Sequence, residues 1–380
     1  MDLTFEALRA VVEGGEFALA RISTTYEPAG GDGSRVMPPT FPTDRNDDSP
    51  YLLEERSRGG TVTKAVVLDQ VPSQANRVEE ALADAQRSGE VSLPLLRLTH
   101  RGQVEVVLTG LEMPHRAFDA YLRDSTLDNV KFDRTDLGKA LQATSLADAT
   151  ALLQHDPGTL VFGGWNSHRK GRQAKFPRAY SSEVVGWNPV LGARKAGRMD
   201  PLNLTGTRSG EGDEWEYSAG GTKTVKGKLS EIGHGNIAPG KTHGGVSLSD
   251  ATRFATLSVS ALNRIRFGAA SAEAQIAART LLAAYALLGD RLAFGGAGLW
   301  LRSGCELVVR EEKLAWVGRG AELEEFTLDR AGALALCEEA RINAESIGLS
   351  FMLAPVDLEA SAALGKAIDF SLTKAETTDG

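Results

Sequence analysis

The sequence predicts an α+β fold in which helices cover one face of a mostly antiparallel sheet. Two stretches carry that expectation. A β-branched run is followed by an amphipathic helix and then a hairpin, and later an Ala-rich helix is followed by two short strands and another helix.

Residues 27–60 read as a loop insertion, because Glu27 to Pro50 is dense in Gly, Pro, Asp and Ser and longer than an ordinary connection. Residues 61–69 read as a strand. Pro72 and Ser73 then announce a helix with Ser73 as its N-cap, and Ala75, Val78, Leu82 and Ala85 recur at spacings of three and four to form one apolar face. Residues 95–99 and 104–109 flank a four-residue turn, His100 to Gln103, as a hairpin. A helix is expected near Pro114, carrying Phe118, Tyr121 and Leu122, then a short helix over 145–154 and a strand over 159–162. From 163 to 246 long periodic apolar runs are missing, which marks a basic, glycine-rich insertion held to the core at its two ends. Ser249 is the expected cap of a helix reaching 264. An Ala-rich helix follows over 272–288, strands over 298–301 and 306–309, and a helix near 331–345.

A chain of 380 residues, 42% hydrophobic and 24% charged, can build a sizeable core as one elaborated domain. No run approaches the roughly 18 apolar residues of a membrane span. The first nine residues carry Asp2 and Glu6 and no signal pattern, so the cytoplasm is the expected compartment. Cys305 and Cys337 are too few for a disulfide framework or a cysteine zinc site, and read as small buried hydrophobes.

Charge is unevenly spread. Residues 311–380 hold 14 acidic and 6 basic side chains, which accounts for the whole net charge of −8 and leaves the first 310 residues neutral. Within that neutral part, 161–198 carries Arg169, Lys170, Arg172, Lys175, Arg178, Arg194, Lys195 and Arg198 against Glu183 alone. Charge by itself leaves two readings, a dock for an anionic partner or a solvated loop.

Gly235 to Thr242 fits the phosphate-loop string GxxxxGK[ST] letter for letter. Its context argues against a nucleotide hydrolase. The preceding Lys226 to His234 is too polar for a buried parallel strand, and Gly244 and Gly245 disfavour the helix that must follow. A glycine-rich loop with Lys241, His234 and His243 could still hold a phosphate of another kind. The two histidines lack a carboxylate at zinc spacing, and no GxSxG elbow is present. No catalytic group, metal or cofactor is therefore expected.

Three features suit single-stranded RNA. The helix start carries Gln74, Asn76 and Arg77 beside the partial positive charge of a helix N-terminus. Trp165, Asn166, His168, Arg169, Lys170 and Arg172, with Lys175 and Arg178 just beyond, mix stacking rings with cations. Lys223, Lys226, Lys228 and Lys241 add cations near His234, Asn236 and His243.

The run Leu68 to Glu80 (LDQVPSQANRVEE) is followed in order by VFGGWNSH at 161–168, RAYSSE at 178–183, EIGHGNI at 231–237 and GGVSLSDAT at 244–252. Together these resemble the backbone subunit of the type I-G (formerly I-U) CRISPR complex Cascade, of the RAMP superfamily. The resemblance implies an RRM-like (ferredoxin-like) palm with inserted finger and thumb elements, and copies stacked head to tail along the guide RNA. It implies that the backbone is gripped while target DNA is read by pairing with the guide. It places Gln74, Asn76 and Arg77 on the palm helix, His234, Asn236 and Lys241 in a loop beside it, and the Arg169–Arg178 cluster on an insertion. Expected partners are guide RNA, target DNA through the guide, further copies and other Cascade subunits, with no membrane. The acidic 311–380 part could meet basic surface on the next copy. Two alternatives stay open: a RAMP endoribonuclease using His168, His234 or His243 as base, and a nucleotide hydrolase using Lys241.

Overall fold

Eight antiparallel strands form the central sheet of the computed structural model, which describes residues 1–42, 49–102, 104–166, 174–210, 215–219 and 227–378. In chain order they are β1 (Phe17–Pro28), β2 (Leu53–Arg58), β3 (Thr61–Asp69), β4 (Tyr180–Trp187), β5 (Asp250–Ser258), β6 (Gly298–Arg302), β7 (Cys305–Gly318) and β8 (Leu323–Phe326). Across the sheet the order is β6-β7-β1-β5-β4-β3-β2, with β8 paired to β7 off that path. Helix α2 (Val71–Arg87) falls between β1 and β4 in the chain, and helix α3 (Ala272–Phe294) between β5 and β7. The block β7-β1-β5-β4 with those two helices therefore has the βαββαβ connectivity of a ferredoxin-like unit, consistent with an RRM-like palm.

Alternation decides which face the helices cover. Along β1, Ala20, Ile22, Thr24 and Tyr26 are buried while Arg21 is exposed and Ser23 and Thr25 are half-buried. Period two thus separates a helix-covered face from an open one. Helix α3 is apolar around most of its circumference and is buried along most of its length, so it forms the centre of the core. Helix α2 crosses it at Gly289, where a Cβ would meet Val78 Cγ1 at 2.5 Å. Helices α1 (Phe5–Gly14) and α4 (Arg330–Ser346) pack on α3 as well. A second, five-stranded sheet runs Glu105–Thr109, Leu96–Arg101, Val356–Ala360, Ser125–Leu127, Val130–Lys131.

The strand at 61–69, the Ala75–Val78–Leu82–Ala85 face, the hairpin after 95 and the helices near 272 and 331 lie where the sequence pattern puts them. Cys305 and Cys337 are free and buried. Several expectations are corrected. Helix α2 starts at Val71 with Gln70 as N-cap, so Ser73 lies inside it; Pro72 pre-sets φ in the first turn. Residues 159–162 end a helix, Pro157–Phe162, because Pro157 opens it and the Asp156 carboxylate accepts from Thr159 N, outweighing the β-branched Thr159 and Val161. Residues 250–258 are strand β5 and not a helix: Ala251, Arg253, Ala255 and Leu257 face inward, alternating with Thr252, Phe254, Thr256 and Ser258. Ser258 caps only the single turn Val259–Leu262. The helix near Pro114 is broken into Arg116–Phe118 and Ala120–Arg123, with Arg116 at φ +52°.

Composition also misleads at 27–60, where β1 runs to Pro28, Arg35–Val36 pairs with an inserted strand, and Leu53–Arg58 is β2. Residues 43–48 lie outside the described residues. The stretch 163–246 is not insertion throughout, for β4 within it is a core strand flanked by β5 and β3. Its small residues Ser181, Ser182 and Gly186 conceal the strand in the sequence.

Candidate nucleic-acid interface

Strand β4 divides the basic stretch into two protrusions. Before it, Gly164–Asn166 and Ala174–Phe176 pair as a hairpin with Lys175 opposite Trp165. Trp165 is 55% exposed and Lys175 Nζ lies 5.9 Å from its ring centroid, a cation–π arrangement left open to solvent. Phe176 stacks on Phe118, ring centroids 6.2 Å apart, which anchors the hairpin. Asn166 is half-buried and lines a cleft of about 440 Å³ with Phe118, Arg123 and Lys139. Arg178 is exposed just before β4. His168, Arg169, Lys170 and Arg172 lie outside the described residues.

After β4, Val190–Arg198 and Ile237–Ser247 pair as a long arm. Ala193 stands opposite His243 and Lys195 opposite Lys241. Arg194, Lys195 and His243 are exposed, and the His243 ring meets Tyr51 edge-on at 6.1 Å. The Lys241 side chain lies outside the described residues, as do Lys223 and Lys226; Lys228 is exposed. At the arm's far end His234 is exposed beside Trp215, ring centroids 5.7 Å apart. Arg198 donates to Gly235 O at 2.7 Å, while Asn236 accepts from Asp200 N at 2.6 Å and bonds Asn203. Asn236 and Arg198 therefore shape the turn.

The phosphate-loop string is not a loop here. From Ile237 to Ser247 the backbone is a strand paired to Val190–Arg198, and β5 follows it, so no helix N-terminus is presented. The two protrusions are not brought together either. Eight residues of β4 at about 3.3 Å each put their roots about 25 Å apart.

Helix α2 is used differently from expectation. Gln74 is fully buried, so it is not a surface grip. Its Nε2 donates to Asp69 Oδ2 at 2.5 Å and its Oε1 accepts from Ser182 Oγ at 2.7 Å. Arg77 is half-buried, donating to Asp69 Oδ2 and to Leu301 O, each at 2.8 Å. Asn76 alone of the three is exposed. Gln74 is one link in a buried polar chain that sequence reasoning misses. Ser182 Oγ accepts from Arg253 Nε at 3.0 Å, Arg253 bonds Asp290, and Asp290 also binds Arg291, which reaches Glu312 at 2.6 Å. Burial alone would push the Asp290 carboxyl up, but the Arg253 and Arg291 guanidiniums hold it down at about 2. The Asp290-Arg291 pair interrupting an apolar helix is the signal the sequence offers for it.

A second buried ion pair joins Glu79 of α2 to Arg116. Here burial prevails and pushes the Glu79 carboxyl up to about 7 against the pull of Arg116. Among the described residues no group of His, Cys, Asp and Glu could hold a metal, and no helix is long and apolar enough to cross a membrane.

Fold and site thus define an α+β protein whose antiparallel central sheet bears two basic protrusions. Residues 20–190, which run from β1 through the hairpin and β4, match the family model described as CRISPR-associated protein GSU0053. That match supports a CRISPR-associated protein. No curated protein matches the chain.

Proposed function

We propose that this chain is a non-catalytic backbone subunit of a CRISPR effector complex, which holds guide RNA by its sugar-phosphate backbone and stacks head to tail along it. The observation that carries the reading is the pair of exposed cation-bearing protrusions at opposite ends of one palm strand, each with aromatic rings, together with the family match. Cations with stacking rings hold single strands without reading sequence. Guide pairing then reads the target DNA. Residues 311–380, which carry the chain's acidic excess, give a surface that could meet a basic protrusion of the next copy in a heterologous, filament-forming contact.

Of the candidate bases of the endoribonuclease alternative, neither His234 nor His243 has a hydrogen-bonded carboxylate among the described residues, and a general base is ordinarily oriented by such a partner; His168 lies outside the described residues. Purified chain should bind unrelated single-stranded RNAs with similar affinity, leave them uncut, and form filaments on guide RNA visible by electron microscopy. Site-specific cleavage lost on His168→Ala, His234→Ala or His243→Ala, or binding confined to one RNA sequence, would overturn the reading.

A further inference from the structure

Arg116 is 8% exposed and sits where three parts of the fold meet. Its Nε and Nη2 grip both carboxylate oxygens of Glu79 on α2, the latter at 2.7 Å. Its Nη1 donates to Gly163 O at 2.9 Å, at the root of the Trp165 hairpin. The guanidinium carbon lies 5.5 Å from the ring centroid of Phe162, the last residue of the preceding helix. The backbone of Arg116 is left-handed, φ +52°, a conformation that persists in a non-glycine residue only where its surroundings over-determine it. Gly163 also has a positive φ, +89°, and a Cβ there would meet Arg178 Cγ at 2.9 Å and Phe176 O at 3.2 Å. Both ends of the hairpin therefore close on the carbonyl that Arg116 holds.

A guanidinium is a rigid planar fork, so bonding Glu79 with one edge fixes the direction in which the remaining nitrogen donates. We infer that Arg116 is a positioning residue for RNA binding, locking the root of the Trp165 hairpin to palm helix α2 so that Trp165 and Lys175 are presented in one orientation. The inference rests on the RNA-binding reading above. Arg116 touches no RNA itself; it acts by keeping the stacking ring and its cation from having to be ordered on binding.

Two full-length variants test it. Arg116→Lys keeps a charge for Glu79 but cannot span both partners. Arg116→Met with Glu79→Leu and Asp156→Asn removes the buried cation with both carboxylates that face it, a replacement folds commonly tolerate, while the amide oxygen introduced at position 156 can still accept from Thr159. Hydrogen exchange at the amides of 164–166 and 174–176 should speed up about tenfold or more in both, with the amides of β1 and β5 unchanged. Anisotropy binding to a polyuridine single strand should weaken about as far as in Trp165→Ala/Lys175→Ala, within the roughly 5- to 150-fold range of one lost stacked base. Adding that hairpin pair to the Arg116→Met/Glu79→Leu/Asp156→Asn variant should cause little further loss. Unchanged exchange at the hairpin, or losses that multiply, overturns the inference. If the unsubstituted chain binds no polyuridine, the RNA reading itself falls, and the exchange measurement separately decides whether Arg116 holds the hairpin.

Discussion

Lys175 and Lys195 belong to different protrusions, one at each end of β4, and both are exposed. If a single RNA strand engages both, each lysine neutralises about one phosphate, and Lys→Ala at either should reduce the slope of log affinity against log salt by roughly 0.7. Their roots stand about 25 Å apart, beyond both the about 10 Å Debye length at 0.1 M salt and the range over which substitutions couple. The losses should therefore add, to about 1.4 in the double variant. Between 50 and 200 mM salt, that variant should lose about sevenfold less affinity than the unsubstituted chain. Titrations of a fluorescent single-stranded RNA at four or five salt concentrations measure the slopes directly, and two unrelated RNA sequences should give the same result. A double variant no worse than one of the singles would mean that one protrusion, not both, contacts the strand. Unchanged slopes in all three would remove the electrostatic basis of the proposal.

Other consequences concern stability. Asp290 has a folded pKa of about 2, below the roughly 3.9 of an unfolded aspartate, so its contribution is present above about pH 4 and is lost as pH falls towards 2. That difference is worth about 2–3 kcal/mol at neutral pH. Asp290→Asn should flatten the acid limb of a chemical-denaturation series, and cost about 3–5 kcal/mol at pH 7 by leaving Arg253 buried without its counter-charge. Arg77→Ala should lower thermal stability, since it abandons Asp69 and Leu301 O, while changing the RNA salt slope by much less than Lys195→Ala does. Leu82→Ala, fully buried on α2, should cost about 2–5 kcal/mol in urea unfolding with RNA affinity retained at temperatures where the variant is folded.

Strong single-period patterns are legible in the amino-acid sequence alone. The β-branched run at 61–69 and the apolar face of α2 are of that kind, and both form because local propensity and tertiary burial agree. Pattern reading fails where tertiary context overrides local signals. Strand β5 carries an arginine on its buried face, so its alternation looks polar; only the pairing of Arg253 with Asp290 makes that placement tolerable. Strand β4 escapes notice for a related reason, because Ser182 is a buried link to Gln74 and Gly186 lies where a Cβ would crowd Leu248 at 2.7 Å. The same buried chain explains the main error about the site. The helical spacing of Gln74 and Arg77 suggests a surface grip, but spacing tells which residues share a face and not whether that face meets solvent. Of the candidate cations among the described residues, Lys175, Arg194 and Lys195 are exposed and lie on protrusions whose sequences lack apolar periodicity. A weak pattern there means that little of the chain is needed for the core. In this molecule the core strands that escape notice, β4 and β5, do so because buried polar and small residues break their alternation. The two protrusions instead lack a pattern because they stand off the sheet, with Lys175, Arg194 and Lys195 exposed on them.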